Sequence, residues 1–254
     1  MLQALFASEN LLCDSIAVEA LPAEHATRVG KMFDTDLFRK TFQPPTALGL
    51  IEIDKLVVTQ RTVNLEYVEK LVAEMPAAPS VEDLITLCLS PDRPLAPVQH
   101  LELEPNAHVF SSLSGDFRFL GAFLKELAPD DLKYAQNGGV PAAAIISFVG
   151  YGAYPVSVYS FGNRAILGNG LHRVYALRSM GVKKIPAVIQ RVSNPQLDFP
   201  ATLFNIPREY LLGDGRPVLM KDFFEGDFTT IVKVRKRLRV VSLQVAAGQH
   251  DVPS

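Results

Sequence analysis

The spacing of apolar residues changes along the chain. Alternation of apolar and polar residues predicts strands in some runs, and helical spacing predicts helices in others. The run 50–58 alternates at its start, which predicts a strand. Apolar residues at helical spacing over 65–75, preceded by Asn64 as an N-cap, predict a helix. The pattern also predicts a short strand at 100–104 and a helix over 117–127. A chain that mixes elements in this way is expected to have an α+β fold.

The sharpest pattern lies in the second half of the chain. Two β-rich runs, 155–160 and 164–167, flank a Phe-Gly-Asn turn, so we expect a β-hairpin. A helix is predicted to follow from 172 to 180, with Gly181 well placed as its C-terminal cap. The run 185–189 predicts a further strand. The chain is therefore predicted to pass from a hairpin through a glycine turn into a helix, and then into a strand.

The elements suggest three segments. Residues 1–48 are predicted to form a helical N-terminal extension, and residues 49–191 the main domain. Residues 77–154 show a weaker pattern and several prolines, so they are predicted to be an insert within that domain. Residues 192–254 are predicted to form a β-rich C-terminal extension with a strand at 238–243.

The turn at residues 168–173 carries the chemistry that the sequence suggests first. A strand that turns through glycines into a helix leaves free backbone N–H groups, and the helix dipole adds partial positive charge there. Gly168 and Gly170 allow positive φ angles and a close approach of a ligand to the backbone. Arg173 can donate paired hydrogen bonds to a phosphate, and His172 can move a proton near neutral pH. We therefore expect an anion site at this turn.

The sequence around the turn forms a longer motif. Residues 167–177 read LGNGLHRVYAL, and residues 180–189 read MGVKKIPAVI. This pattern resembles the ParB/sulfiredoxin superfamily, whose members carry a D-G-x-H-R or G-E-R-R type motif, a helix, a glycine and an I-P-V-x-V strand. Residues 53–71 resemble the strand, Q-x-R loop and first helix of the family, and residues 155–158 resemble its P-x-x-V strand. The resemblance implies an α+β, ParB/sulfiredoxin-like core elaborated by the insert and the two extensions.

For the site, the resemblance implies that the turn binds nucleotide phosphates. Members of the superfamily bind or hydrolyse CTP or ATP, transfer phosphate from ATP or ADP, or cleave DNA. By this resemblance, Gln60 and Arg61 approach the phosphates from the side opposite the turn, and a divalent cation, usually Mg²⁺, neutralises the phosphate charge. The implied binding residues are Gln60, Arg61, Gly168, Asn169, Gly170, Leu171, His172 and Arg173.

The resemblance also suggests roles in catalysis. Arg173 and Arg61 would stabilise negative charge in a transition state, and His172 would position a phosphate or shuttle a proton. Glu52 leaves its predicted strand near the Gln60 loop and is a candidate acid or base. The leading hypothesis is therefore a nucleotide-binding protein that hydrolyses or transfers phosphate.

Three departures from the family pattern limit this hypothesis. Asn169 stands where many members have Asp, which removes a potential general base or metal ligand. Leu171 stands where sulfiredoxins carry their catalytic Cys, which argues against sulfiredoxin chemistry. No helix-turn-helix pattern follows the glycine motif, although partition proteins of the family carry one there. The turn thus supports binding better than it supports any particular reaction.

A basic cluster near the C-terminus supports an alternative. The run 230–234 predicts a strand, and continued alternation would place Lys233, Arg235 and Arg237 on one face. That face could contact the phosphate backbone of DNA, as in a DNA-binding protein or nuclease of ParB-like type. A solvated edge strand protected by charge is the interpretation that we favour. A non-catalytic interaction module is a further alternative, and a homodimer is left open.

Composition narrows the class of protein. The chain has 254 residues and a net charge of −2, so no global basic field gathers nucleic acid. The N-terminus lacks the basic residues of a targeting peptide, and no apolar run approaches ~18 residues, so we expect no membrane span.

Cys13 and Cys88 lie in apolar contexts, which predicts buried, reduced thiols and a cytoplasmic protein. His100 and His108 lack partners at ligand spacing and are predicted to be structural, so no metal site is expected from protein ligands.

Overall fold

The computed structural model describes residues 18–42, 46–90, 95–104, 106–127, 141–152, 154–235 and 238–246. They form two compact units, and each unit is considered by itself. The first unit combines the described residues of 1–93 and 153–232, and the second those of 94–152 and 233–254. Within these described ranges, none of the helices has the length and apolar character that a membrane crossing requires.

Helices and strands are interspersed along the chain, as expected for an α+β protein. The helices are α1 (Ala23–Phe33), α2 (Asp36–Thr41), α3 (Leu65–Ala73), α4 (Val81–Leu89), α5 (Leu171–Ser179), α6 (Pro195–Asp198) and α7 (Arg208–Leu212), with a 3-10 helix at Met220–Phe224. The strands are β1 (Thr46–Glu52), β2 (Leu56–Val57), β3 (Val98–Glu104), β4 (Ala107–Ser112), β5 (Phe117–Glu126), β6 (Ala143–Tyr151), β7 (Ser157–Phe161), β8 (Arg164–Asn169), β9 (Lys184–Arg191), β10 (Thr202–Leu203), β11 (Ile206–Pro207) and β12 (Arg239–Gln244).

Five strands of the first unit form one mixed sheet in the order β1-β9-β7-β8-β2. The pairs β1–β9 and β7–β8 are antiparallel, whereas β7–β9 and β2–β8 are parallel. Only residues 53–55 separate the two edge strands, β1 and β2, along the chain. Four residue steps span at most about 14 Å, whereas the edges of a flat five-stranded sheet lie about 19 Å apart. The sheet must therefore curl so that its two edges approach each other.

Apolar side chains cover both faces of this sheet. Along β8, Ala165 and Leu167 belong to one buried cluster, whereas Ile166 between them belongs to another. Alternate residues of a strand point to opposite faces, so the two clusters lie on opposite faces of the sheet. The first cluster includes residues of α4 and α5, and the second includes Phe199 and Leu211, which follow β9. Helix α5 is therefore fixed against one face of the sheet at the end of β8.

The described part of the N-terminal segment belongs to the core of the first unit. Helices α1 and α2 agree with the helical character predicted for 1–48, of which residues 1–17 and 43–45 lie outside the described ranges. Val29 and Phe42 are buried in the same cluster as residues of α4 and α5. The sheet already begins at Thr46. The described part of the segment is thus packed into the unit rather than being an extension beside it.

The boundaries predicted for the insert and the tail are different in the structure. Helix α4, which the sequence prediction missed, packs in the first unit with Ile85 fully buried, so the second unit begins near residue 94 instead of 77. The capping pair Ser80 and Asp83 was the sequence signal for this helix. Residues 192–232 also belong to the first unit and contain α6, α7, β10, β11 and the 3-10 helix. Among the described residues that follow 232, strand β12 is the one strand of the predicted β-rich tail, and it pairs with β4.

Two predicted elements are wrong. The helix predicted over 117–127 is strand β5, which pairs with β6 along its whole length. Gly121 lies at a bulge in this strand with a φ of +130°, a backbone conformation that a helix does not contain. The strand predicted at 230–234 is also absent, because these residues form no ladder with another strand. The strand predicted at 238–243 is confirmed as β12.

The second unit consists of two small antiparallel sheets. One has the strand order β12-β4-β3, and the other is the β5–β6 hairpin. Strand β3 confirms the strand predicted at 100–104. Among the described residues of this unit, only Ser112 and Phe117 are buried. Its strands therefore depend on backbone pairing more than on an apolar core.

Candidate functional site

The predicted turn joins strand β8 to helix α5, and Gly170 forms the junction. Gly170 has a φ of +105° and a ψ of 18°, a left-handed conformation that side chains disfavour. A Cβ atom on Gly170 would lie 2.7 Å from Cγ2 of Val156, so packing also requires glycine. Gly168 differs from the prediction, because it lies within β8 without a positive φ. A Cβ there would lie 3.0 Å from Cε2 of Tyr159, so close packing is the reason for this glycine.

The N-terminus of α5 has no cap from a side chain. Its first intrahelical hydrogen bond runs from the Val174 N–H to the Gly170 carbonyl, at 3.0 Å. The N–H groups of Leu171, His172 and Arg173 precede that bond and have no intrahelical acceptor. No side chain accepts from them at the cap position, and the first turn carries no acidic residue. This helix end therefore combines unsatisfied donors with the positive end of the helix dipole.

The loop at residues 59–64 runs beside the turn and is fastened to it at both ends. Strand β2 is parallel to β8, so the carboxyl ends of both strands lie at the same end of the sheet. Just beyond β2, the buried Thr59 donates from Oγ1 to the Leu167 carbonyl at 2.8 Å. At the other end of the loop, the Asn64 N–H donates to Nε2 of His172 at 3.0 Å. Neither contact was predicted, because each joins positions 108 residues apart.

Gln60 and Arg61 lie within this fastened loop. Gln60 is half-buried and Arg61 is exposed. Neither side chain has a hydrogen-bond or ion-pair partner among the residues that the structure describes. The structure thus brings the two residues to the end of the sheet where the turn lies, and their side chains are available to a ligand.

His172 connects helices α3 and α5, which meet at this end of the sheet. Its Nε2 accepts a backbone hydrogen bond, so in the neutral ring the hydrogen is on Nδ1. The ring packs edge-on against Tyr67 at a centroid distance of 5.5 Å. Burial, and secondly the positive charge of Arg173, lower the pKa of His172. His172 therefore fastens α5 to Asn64, the N-cap residue of α3, and its Nε2 is not free for the predicted proton transfer.

Arg173 is buried, and its hydrogen bonds run into the protein. Its Nη1 donates to the carbonyls of Leu87 and Cys88 at 3.3 Å each, and its Nη2 donates to the Tyr154 carbonyl at 2.5 Å. The guanidinium also lies 4.4 Å from the centroid of the Tyr154 ring. Two of these carbonyls belong to the last turn of α4, which has no basic residue of its own. The prediction that Arg173 contacts a phosphate directly is therefore revised: it caps the C-terminus of α4.

Tyr154 and Asn169 complete this arrangement beneath the turn. The Tyr154 hydroxyl donates to the Leu87 carbonyl at 2.6 Å. Nδ2 of Asn169 donates to the Pro155 carbonyl at 3.0 Å, a bond that an ionised aspartate could not make. An asparagine at position 169 thus has a structural reason. Tyr154 was not predicted as a site residue, because no local sequence signal marks its long-range contacts.

The side chains of Leu171 and Cys88 are part of the core. Leu171 is 2% exposed, so only its backbone can contribute to a ligand site. Burial raises the pKa of the Cys88 thiol to about 12, which makes it a poor nucleophile. This agrees with the buried, reduced thiol predicted for Cys88, whereas Cys13 lies outside the described residues.

Three other groups of residues were predicted for the site or for contacts with nucleic acid. Glu52 forms an ion pair with Lys55 at 3.0 Å, and no hydrogen bond or ion pair joins it to Gln60, Arg61 or the described residues 168–173. Lys233 and Arg235 are exposed but belong to no strand, so the predicted strand face is wrong for them. Arg237 lies outside the described residues. In the part of the chain that is described, no group of three or more His, Cys, Asp or Glu side chains is placed to hold a metal ion.

Comparison with protein-family models, with curated proteins and with solved structures gives no match. The resemblance to the ParB/sulfiredoxin superfamily therefore remains a prediction that rests on its motifs. The α+β class is the part of the fold prediction that the structure supports.

Proposed function

We propose that this chain binds the phosphate groups of a nucleotide at the end of β8, against the N-terminus of α5. The observation that carries the proposal is the uncapped end of this nine-residue helix, which has no acidic residue in its first turn. A helix dipole places about half a positive charge at such an end. A phosphate there would supply the acceptors that the first N–H groups lack.

The loop at residues 59–64 would form the second wall of the site. The exposed guanidinium of Arg61 matches a phosphate through paired N–H donors, and the Gln60 amide can donate one further bond. Arg173 would act through its charge alone, because its donors are engaged with carbonyls. Its Nη2 lies 3.3 Å from the position of a Cβ on Gly170, so the charge is directly beneath the turn.

The proposed ligand is a nucleotide together with Mg²⁺, and no reaction is proposed. The residues described around the turn offer no acidic cluster, so Mg²⁺ would be held mainly by phosphate oxygens and water. Nε2 of His172 is engaged with a backbone N–H, and Glu52 is paired with Lys55. Binding of ATP or CTP with magnesium is therefore proposed, and hydrolysis or phosphate transfer is a separate step to be measured by product release.

A nucleotide screen tests the proposal. The thermal stability of the chain is measured with ATP, ADP, CTP and GTP, each with MgCl₂. A nucleotide at about 100 times its dissociation constant is expected to add about 2.7 kcal/mol to the free energy of unfolding. Isothermal titration calorimetry then gives the affinity. Unchanged stability with all four nucleotides would overturn the proposal and favour the alternative of a non-catalytic interaction module.

Two arginine variants locate the site. Arg61→Ala removes a charge-assisted hydrogen bond and is expected to weaken nucleotide binding by about tenfold or more. Arg191→Ala is the matched control, because Arg191 is also exposed but lies at the far end of β9. An equal loss of affinity in both variants would indicate unspecific attraction to a basic surface.

The DNA-binding alternative has less support. Of its three predicted contacts, Lys233 and Arg235 share no strand face in the structure, and Arg237 lies outside the described residues. The net charge of −2 also provides no general attraction to nucleic acid. We therefore propose nucleotide binding alone.

A further inference from the structure

The β3–β4 hairpin of the second unit brings two histidines together. His100 pairs in register with Phe110, and Glu102 pairs with His108, so His100 and His108 are diagonal neighbours on one face. Nε2 of His100 lies 3.2 Å from Nδ1 of His108, and the ring centroids are 5.3 Å apart. The prediction that these histidines lack partners is therefore corrected, because each is the other's partner.

We propose that His100 and His108 bind one divalent transition-metal ion, of the class of Zn²⁺, Ni²⁺ or Cu²⁺. With metal–nitrogen bonds of about 2.1 Å, a 3.2 Å nitrogen separation corresponds to an angle of about 100° at the metal. That angle lies between the octahedral and tetrahedral values. The two ligand atoms thus already have the separation that a chelated ion needs.

The hairpin holds this geometry before a metal arrives. The ring of Phe110 stacks on that of His100 at 4.6 Å, with an interplanar angle of 19°. His108 is half-buried on the central strand of its sheet, and Glu102 lies directly opposite it. Ligands on paired strands lose little freedom on binding, so preorganisation favours the chelate.

The chemistry of the pair determines which ions fit. Imidazole nitrogen suits Zn²⁺, Cu²⁺ and Ni²⁺, whereas Mg²⁺ prefers oxygen ligands. Two protein ligands leave the other positions to water, which agrees with the exposure of His100. The hydrogen now shared between the two rings would move to the other nitrogen of its own ring, so both ligand atoms present lone pairs. This site lies in the second unit and does not depend on the proposed nucleotide function.

Calorimetry of the full chain, without an affinity tag and after removal of metal with EDTA, tests the proposal. Titration with ZnCl₂ or NiCl₂ is expected to show one bound ion per chain, and MgCl₂ none. His100→Gln and His108→Gln should each weaken zinc binding by about tenfold or more. His25→Gln is the matched control, because it removes a histidine from the first unit and should leave zinc binding unchanged.

The wild-type chain provides a second readout that does not depend on the folding of a variant. Added Ni²⁺ should broaden the amide NMR signals of β3 and β4 before those of α5. Absence of zinc and nickel binding, zinc binding that survives both hairpin substitutions, or loss of binding in His25→Gln would each overturn the proposal. Broadening centred on any other element would do the same.

Discussion

Helices α4 and α5 have the same length, nine residues, but their N-termini are stabilised in opposite ways. α4 begins with a capping box in which Ser80 accepts from the Asp83 N–H and Asp83 accepts from the Ser80 N–H. Hydrogen bonds from Ser80 also lower the pKa of Asp83. α5 begins at Gly170 with no side-chain cap. The N-terminus of α4 is capped by its own side chains, whereas that of α5 has no side-chain cap.

Arg173 also links the two helices. This link explains why a cation that the sequence analysis assigned to ligand binding lies at the start of α5. Arg173 lies in the first turn of α5, where a positive charge opposes the helix dipole. The same charge lies at the C-terminus of α4, where it is favourable, and donates to the carbonyls of Leu87 and Cys88. Arg173 therefore stabilises the α4 end directly and contributes only its charge to the α5 end.

The largest expected effect comes from removing the hydrogen bonds that Arg173 donates to the C-terminus of α4. Arg173→Leu leaves the carbonyls of Leu87, Cys88 and Tyr154 without their donor and should lower the free energy of unfolding by at least about 3 kcal/mol. Urea denaturation measures the loss. Arg191→Leu, at an exposed arginine, should stay within about 0.5 kcal/mol of the wild type. Equal stability of the two variants would contradict the capping role.

A smaller loss is expected at the junction before α5. Gly170→Ala forces a left-handed backbone on alanine and a close contact with Val156, so it should cost about 2 kcal/mol or more. Gly162→Ala is the matched control, because Gly162 has a φ of +54° but open space around it. Thermal denaturation should show that Gly170→Ala is clearly the less stable variant. A cost no greater than that of Gly162→Ala would mean that Val156 moves aside easily.

Removal of the α4 cap should separate stability from binding. Ser80→Ala loses one capping partner and should cost about 1 kcal/mol of stability without changing nucleotide affinity. Arg61→Ala should give the reverse pattern, with weaker binding and nearly unchanged stability. Denaturation and calorimetry on both variants measure the two quantities. Loss of nucleotide affinity in Ser80→Ala would show that the α4 end belongs to the ligand site.

The smallest expected effect is a dependence of stability on pH. Because the folded protein lowers the pKa of His172, the unfolded chain binds more protons between that lowered pKa and about 6.5. The contribution is fully present above about pH 6.5 and is lost as the pH falls through the lowered pKa. Denaturation between pH 8 and pH 5 should show a shallower decline for His172→Gln than for the wild type. Parallel declines would place the titrating group elsewhere.

Much of the region around the turn was predictable because it depends on local chemistry. The hairpin of β7 and β8, helix α5 and strand β9 follow from residue spacing, and the predicted C-terminal position of Gly181 has a φ of +85°. The predicted cap Asn64 accepts from the Tyr67 N–H at 3.2 Å. Each of these features is decided within a few residues, so the local sequence is sufficient to specify it.

The remaining features depend on contacts between distant positions. The run at 117–127 became a strand because β6 provides a pairing partner, which local spacing cannot reveal. Helix α4 was missed within a proline-rich stretch, although its capping box is local. His100 and His108 met because a hairpin aligns them diagonally. Side-chain periodicity does not specify which strands or side chains meet across the fold.

The sequence alone determined that a strand turns through glycine into a helix at residues 168–173, since backbone conformation and spacing are local properties. The tertiary structure decided what the turn's charged residues contact. Arg173 meets carbonyls 86 and 85 positions earlier, and His172 meets a backbone N–H 108 positions earlier. Long, polar side chains take the partners that folding brings near, and those partners are not encoded beside them in the chain.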